Sequence, residues 1–177
     1  MIANATSLQV SDRANIVMCV LAAVRACGVK RVLMMPENGG IRSLLKRGLQ
    51  REQKLCDNRF PELEMTDTQI SGTVDDTFAA TQAMVDSGVK AIVVLGGDGT
   101  HRAVAKVCGQ VPIAGISTGT NNAFPEHREP TITGLAVGLA ATGRIPESVA
   151  FTLNKLLCVK INDGERSDIA LVDVVVS

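Results

Sequence analysis

Apolar residues follow two different spacings along the chain, and these spacings predict helices and strands in alternation. Between 15 and 24 the apolar side chains fall on one helical face, whereas 31–36, 91–96 and 112–117 are short and continuously apolar. Such runs are typical of strands that are buried on both faces of a sheet. The predicted helices are 11–27, 41–57, 73–88, 100–108 and 130–142, and the predicted strands are 31–36, 62–67, 91–96 and 112–117. This order predicts an α/β fold, a Rossmann-like parallel sheet with helices on both faces.

Individual residues mark several of the predicted boundaries. Ser11 is the expected N-cap of the first helix, and Gly28 and Gly88 follow predicted helices as stop signals. The third helix is expected to turn its apolar residues inward, namely Val74, Phe78 and Val85.

The pattern changes after residue 146, and this change predicts a domain boundary. The apolar segments 152–161 and 168–177 are separated by Asp163-Gly164, a hairpin turn signal. We therefore expect 1–146 to form an α/β domain and 147–177 to be the truncated start of a β-rich C-terminal domain. The chain stops inside an apolar strand, which favours a fragment. The alternative is that this last strand docks back on the α/β domain.

Composition excludes several classes of protein. Hydrophobic residues make up 46% of the 177 residues and charged residues 20%, which is enough to build a core. Lys+Arg and Asp+Glu number 18 each, and Trp and Tyr are absent, so nothing points to nucleic acid. The apolar stretch 15–24 is too short to span a membrane. Five scattered cysteines without a CxxC pair are typical of reduced, mostly buried thiols in a cytoplasmic protein.

Residues 96–101, GGDGTH, join the clearest predicted strand to a helix. Such a loop can place backbone N–H groups around a phosphate, because glycine permits a positive φ and has no Cβ to obstruct a ligand. Gly96, Gly97 and Gly99 fit this role, and Thr100 could cap the helix, bind phosphate or do both. The loop is neither a Walker loop nor the GxGxxG fingerprint of dinucleotide-binding proteins.

Asp98 distinguishes this loop, because a carboxylate beside phosphate oxygens is repelled unless it has a chemical role. Two roles suit phosphoryl transfer: orienting or deprotonating an attacking hydroxyl, and binding Mg²⁺ directly or through water. The alternative is a tight turn in which Asp98 only caps the next helix. His101 also has two interpretations, a phosphate contact or a solvated residue in the first helical turn.

A second loop, 117–125 (STGTNNAFP), follows the next predicted strand. It offers hydroxyl, amide and glycine groups without charge, as a contact surface for sugar or phosphate would, although an ordinary Asn/Gly-rich turn fits too. Because parallel strands end at the same edge of a sheet, we expect the two loops to lie side by side. Ligands of α/β folds bind at this edge.

The two loops carry a resemblance to a known family. GGDGT at 96–100, after IVVL, resembles the signature of the NAD kinase, diacylglycerol kinase and phosphofructokinase superfamily. The longer segment 72–125 most closely resembles the acetoin-catabolism protein X family, an ATP–NAD kinase-like branch. The similarity runs from about residue 5 to the end of the chain.

The resemblance implies roles for matching residues. Asp98 matches the invariant aspartate taken in NAD kinases as the base for the ribose 2′-hydroxyl of NAD. Ala123 stands where lipid kinases usually carry an aspartate, which counts against a lipid kinase. Val172 replaces an asparagine that contacts NAD in NAD kinases, so the acceptor stays open. The residues expected to bind the nucleotide are Gly96, Gly97, Gly99, Thr100, Gly119, Thr120, Asn121, Asn122 and Asp173.

The predicted function is therefore an ATP- and Mg²⁺-dependent kinase with a small hydroxyl acceptor, most directly the 2′-hydroxyl of NAD, linked to acetoin catabolism. Polyphosphate is an alternative donor. Two other hypotheses stay open: a nucleotide-binding regulator without catalysis, and a purely structural α/β unit. The family also implies a missing first strand, a C-terminal domain that completes the substrate site, homo-oligomers, and an inactive fragment.

Overall fold

A computed structural model of the chain describes residues 8–37, 39–53, 59–119, 122–162 and 166–175. Its helices are α1 (Val10–Ala26), α2 (Ile41–Gln53), α3 (Val74–Asp86), α4 (Asp98–Val107), α5 (Pro130–Ala141) and α6 (Glu147–Ala150). Its strands are β1 (Arg31–Met34), β2 (Glu62–Met65), β3 (Ile92–Gly96), β4 (Ile113–Ser117), β5 (Leu157–Ile161) and β6 (Arg166–Ala170). The predicted helices and strands are present in the predicted order.

The strands associate in pairs. β1 lies parallel to β2, with Arg31 opposite Glu62, and β3 lies parallel to β4, with Ile92 opposite Ile113. β5 and β6 are antiparallel. Parallel pairs linked through helices confirm the predicted α/β class, and the antiparallel pair agrees with the change of pattern after residue 146.

β3 buries side chains on both of its faces, as a continuously apolar strand should. Ile92 and Val94 lie in one cluster with Val104 of α4 and with Cys108, the residue that follows this helix. The alternate side chains of β3 pack on the opposite face, against α1 and β4, in a cluster that contains Val20, Val24, Val93, Leu95 and Ile116. Helices therefore cover both faces of this strand pair.

α1 and α5 approach each other closely because α5 carries glycine where the two helices meet. A Cβ on Gly134 would lie 2.7 Å from the Cβ of Ala23, and a Cβ on Gly138 would lie 2.7 Å from the Cβ of Cys27. Both glycines are buried. Neither position has room for a side chain, because protein interiors are already close-packed.

The β5–β6 hairpin contacts the rest of the molecule through α4. The Nε of Arg102 donates to the carbonyl oxygen of Ile169 over 2.7 Å, and the Arg102 guanidinium pairs with Asp168. Lys106 reaches the same carboxylate at 3.1 Å. The Ile169 backbone amide, followed by Lys106, holds the pKa of Asp168 below its usual value. The hairpin thus touches the helix that begins at the first glycine loop.

The structure tests the predicted helix boundaries. Gly28 and Gly88 follow α1 and α3 with φ of +96° and +71°, which confirms them as stop signals. The N-cap prediction is wrong, because α1 begins at Val10 and Ser11 lies inside it. The residue before the helix is Gln9, which makes no side-chain capping bond. The predicted end of the second helix, 54–57, and the turn at Asp163-Gly164 lie outside the described residues.

The inward position predicted for Val74 is also wrong. Its side chain is 53% exposed. The buried residues of α3 are instead Asp76, Ala80 and Thr81. The prediction used only the large apolar residues of the helix. Because the buried face of α3 consists of small and polar residues, the prediction placed that face wrongly at this end of the helix.

The cysteines divide evenly between the core and the surface. Cys27 and Cys108 are buried, whereas Cys19 and Cys158 are exposed, and all four thiols are free. Burial raises the pKa of the Cys108 thiol. The prediction of mostly buried thiols therefore holds for half of them, and Cys56 lies outside the described residues. Within the part of the chain that the structure describes, no helix is long and apolar enough to cross a membrane.

Candidate functional site

The two predicted loops leave neighbouring strands at the same edge. Gly96, the last residue of β3, is the register partner of Ser117, the last residue of β4. The first loop (residues 96–100) runs into α4, and the second loop (residues 117–125) leads toward α5. The structure therefore brings the loops together at the carboxyl ends of parallel strands, the edge at which α/β folds bind ligands.

The carboxylate of Asp98 connects the first loop to the second. Its Oδ1 accepts from the backbone N–H groups of Phe124, at 2.9 Å, and Ala123, at 3.2 Å. Its Oδ2 accepts from Ala123 at 3.0 Å. The alternative in which Asp98 only caps α4 is wrong, because Gly97 is the N-cap and the carboxylate bonds the other loop.

Asn122 makes the reciprocal contact from the second loop. Its Oδ1 lies 3.4 Å from the backbone nitrogen of Asp98, a long contact, and its Nδ2 donates to the Oγ of Ser117 over 2.8 Å. Ser117 is buried, and its hydroxyl donates to the carbonyl oxygen of Gly119 over 3.2 Å. Asn122 therefore ties the end of β4 to the start of α4.

The glycines of the first loop do not serve the predicted positive φ. None of Gly96, Gly97 and Gly99 takes a positive φ. A Cβ on Gly97 would lie 2.6 Å from the Oδ1 of Asn122, and a Cβ on Gly96 would lie 2.7 Å from the Cβ of Thr100. At Gly96 and Gly97, neighbouring side chains therefore occupy the space that a Cβ would need. At Gly99 no atom lies within 4 Å of the Cβ position, so the space there is open.

His101 lies inside the protein beneath the first loop. The side chain is 0% exposed, its Nδ1 lies 2.9 Å from the carbonyl oxygen of Gly97, and its ring centroid is 5.7 Å from that of Phe124. Burial lowers the pKa of His101, opposed by the Gly97 carbonyl and by the charge of Asp98. Both predictions for His101 are wrong, because a fully buried ring is neither solvated nor able to reach a phosphate.

The other predicted residues differ in how close they lie to Asp98 and Asn122. Thr100 is an exposed residue in the first turn of α4, so its predicted capping role is wrong. Gly119 is exposed beside Asn122. Asp173 is exposed, and among the described residues no hydrogen bond or ion pair joins it to either loop. Thr120 and Asn121 lie outside the described residues.

Three residues of this site were not predicted: Ser117, Ala123 and Phe124. The sequence predicts Ser117 only as the start of a polar loop, yet it is the buried partner of Asn122. Phe124 supplies an amide to Asp98 and a ring beside His101. The signal for Ser117 was its place as the last residue of a predicted strand, whereas a backbone donor such as Phe124 has no signature in its residue type.

Charge and metal ligands are sparse at the site. No group of three or more His, Cys, Asp or Glu side chains that could hold a metal occurs within the described ranges. Asp98 offers one carboxylate beside the N-terminus of α4, which favours negative charge. This set fits Mg²⁺ held by one carboxylate together with substrate phosphates and water, the usual arrangement for that ion.

A half-open cleft of about 320 Å³ lies at the opposite end of the strands. It is lined largely by apolar residues, among them Pro112, Ile113, Ile132 and Val137. Pro112 and Ile113 lie at the amino end of β4, whereas Asp98 follows the carboxyl end of β3. The candidate site is therefore identified by its polar groups rather than by the size of a cavity.

Comparison with known proteins adds two findings. A family model described as the ATP-NAD kinase N-terminal domain matches residues 1–145. The chain is also 58% identical, over 179 aligned residues, to the acetoin catabolism protein X of Cupriavidus necator. The alignment covers 99% of the chain and 50% of that relative, so the chain spans about half of the relative's length. No solved structure matches. The first two findings confirm the resemblance predicted from the loop motifs.

Proposed function

The chain belongs to the ATP-NAD kinase N-terminal domain family, and we propose that its two loops bind ATP for phosphoryl transfer to a small hydroxyl acceptor. We propose the 2′-hydroxyl of NAD as the acceptor, because the description of the family names both ATP and NAD. The name of the relative in Cupriavidus necator suggests that this activity serves acetoin catabolism. In this proposal residues 1–146 form the nucleotide-binding domain and 147–177 begin the β-rich domain.

The observation that carries the proposal is the position of the Asp98 carboxylate. It is half-buried where both loops meet, and backbone amides of the second loop fix its orientation. Backbone donors stay in place when side chains move, so the carboxylate is preorganised for a reacting group. Its Oδ2 accepts one hydrogen bond from the described residues, and its second lone pair can accept another from a hydroxyl group.

The residues present suit a loose, electrostatically stabilised transfer. The first turn of α4 and the open space at Gly99 would accommodate phosphate oxygens. Mg²⁺, when bound with the nucleotide, would screen the phosphate charge from Asp98. The acceptor oxygen bonds to the terminal phosphorus of ATP as the bond to the ADP oxygen breaks, and the hydroxyl proton passes to Asp98. A carboxylate is a weak base toward alcohols, so this proton moves late in the transfer.

The experiment is a nucleotide-binding and transfer assay on the full-length protein. Binding of ATP with Mg²⁺ is measured by calorimetry, and ADP release is followed against NAD and a panel of other alcohols, with polyphosphate as the second donor. We expect ATP binding and a phosphorylated product. Nucleotide binding without product on any acceptor would favour a non-catalytic regulator. The absence of any nucleotide-induced thermal shift would contradict both functions.

A further inference from the structure

His101 is surrounded by the three elements that form the site. Its ring projects from the first turn of α4, lies beside Phe124 of the second loop, and approaches the backbone of β4. At that approach a Cβ on Gly115 would lie 2.5 Å from the Nε2 of His101, so the imidazole occupies the space that a side chain would need.

The contacts determine which nitrogen carries the proton. Nδ1 lies 2.9 Å from the carbonyl oxygen of Gly97, which can only accept, so Nδ1 is protonated and donates. Nε2 is then a bare acceptor, and it has no partner among the described residues. An unpartnered buried acceptor is unfavourable, and a ring without nitrogen would avoid that cost. Among the described residues, the hydrogen bond that the imidazole side chain makes is the one from Nδ1 to the Gly97 carbonyl oxygen.

That bond acts on the peptide that carries Asp98. The Gly97 carbonyl oxygen also accepts from the backbone N–H groups of Thr100 and His101, each at 3.1 Å. Gly97 is the N-cap of α4 but has no side chain to cap it. Because a trans peptide is planar, fixing the Gly97 carbonyl on the inner side turns the Asp98 N–H outward, toward Asn122.

We infer that His101 is a positioning residue: its neutral imidazole locks the Gly97–Asp98 peptide and so fixes the first loop against the second. The hydrogen bond from Nδ1 adds a side-chain donor to the Gly97 carbonyl, beside the two backbone N–H groups that it already accepts. Its effect on nucleotide affinity rests on the proposed function, whereas its effect on the loop does not.

The test compares His101→Asn with His101→Leu in the full-length protein. Asn and Leu are nearly equal in shape, but the Asn amide can donate from a position close to that of Nδ1. We expect amide hydrogen exchange of residues 96–101 to be about 5-fold faster in the Leu variant than in the Asn variant, the scale of one hydrogen bond. ATP affinity should fall by a similar factor in the Leu variant and be rescued in the Asn variant.

The outcomes separate the two proposals. Equal exchange in the Leu and Asn variants would overturn the role of His101, because only volume would then matter. If the Leu variant does not fold, His101→Phe fills the ring space without a donor and replaces it in the comparison. If the wild-type protein binds no ATP, the proposed function fails, and the exchange measurement still decides whether His101 positions the loop.

Discussion

The carboxylate of Asp98 accepts a 2.9 Å hydrogen bond from the backbone N–H of Phe124, 26 residues further along the chain. The residue proposed to act on the acceptor hydroxyl therefore also holds the two loops together. Substitutions at Asp98 can change the chemistry, the loop geometry or both, and the choice of substitution separates the two effects.

Asp98→Asn should remove the chemistry and keep most of the geometry. The Asn amide oxygen can still accept from the amides of Ala123 and Phe124, but it cannot take a proton from a hydroxyl. We expect kcat to fall at least about 100-fold, the usual scale of general acid–base catalysis, with little change in the KM for ATP. Steady-state kinetics of the full-length protein measures both constants.

Asp98→Ala is the matched comparison, because it removes the acceptor as well. Here kcat should fall as in the Asn variant, and the KM for ATP should rise by about 10-fold as the loops separate. Near-normal turnover of the Asn variant would exclude Asp98 from the chemistry, and equal KM values in the two variants would exclude its role in loop geometry.

Gly97→Ala should destabilise the protein through a clash with Asn122. The added Cβ would lie 2.6 Å from the Asn122 Oδ1, and overpacking of this kind costs about 1–3 kcal/mol. In the double variant with Asn122→Ala the clash is absent, so the cost should be smaller than the sum of the single costs by about 1 kcal/mol. Urea unfolding of the four proteins provides the cycle.

Gly99→Ala is the control for this cycle, since the same methyl group enters open space. It should leave the free energy of unfolding within about 0.5 kcal/mol of the wild type while weakening ATP binding. Additive costs of Gly97→Ala and Asn122→Ala would show that the two residues are not in contact.

Gly138→Ala should weaken the packing of α5 on α1. The new Cβ would lie 2.7 Å from the Cβ of Cys27 and 3.0 Å from the Cα of Val24. Backbone and short side chains cannot move aside, so we expect a loss of about 1–3 kcal/mol in the free energy of unfolding, measured by chemical denaturation.

Gly48→Ala is the matched helical control for Gly138. Its Cβ would lie 2.6 Å from the Met18 sulfur, near the end of a flexible side chain that can rotate away. Alanine also has the higher helix propensity, by about 1 kcal/mol. The control should therefore be neutral or stabilising, and equal destabilisation at both positions would contradict a specific contact between α1 and α5.

His101 should make stability depend on pH. Burial holds the pKa of His101 below its ordinary value, opposed by the charge of Asp98. The unfolded chain, with a pKa of about 6.5, then takes up a proton before the folded protein does. Stability from this source is complete above about pH 6.5 and is lost as the pH falls from there toward the lower pKa of the folded protein.

The measurement is the free energy of unfolding from about pH 8 to about pH 5, for the wild type and for His101→Asn. The Asn variant should show a smaller loss of stability over this interval, because the buried imidazole has been removed. Identical pH profiles would show that His101 titrates alike in the folded and unfolded states.

The order of elements and the meeting of the loops could be predicted because they depend on apolar runs and on parallel topology. The continuous run of β3 gives two buried faces, and adjacent parallel strands bring Asp98 beside the second loop. The interior place of His101 could not be predicted, since it depends on a missing Cβ at Gly115, which belongs to another strand.

The packing around the glycines of the first loop could not be predicted either, because it also depends on residues from another part of the chain. The motif suggested room for a ligand, but the space over Gly97 is filled by Asn122, a residue from the other loop. Which glycine admits a protein side chain and which leaves open space depends on loop packing. The same limit applies to Val74, where the buried face of the helix consists of residues that hydrophobicity does not reveal.

The partners of Asp98 in the second loop are main-chain groups. Ala123 contributes its amide and none of its methyl group to the bond, so every amino acid except proline could supply the same donor at that position. The side chain at position 123, where lipid kinases usually carry an aspartate, therefore takes no part in the hydrogen bonds that join the two loops. Any residue other than proline at position 123 should therefore leave this tie between the two loops intact, so the side chain there can change without loss of the loop geometry.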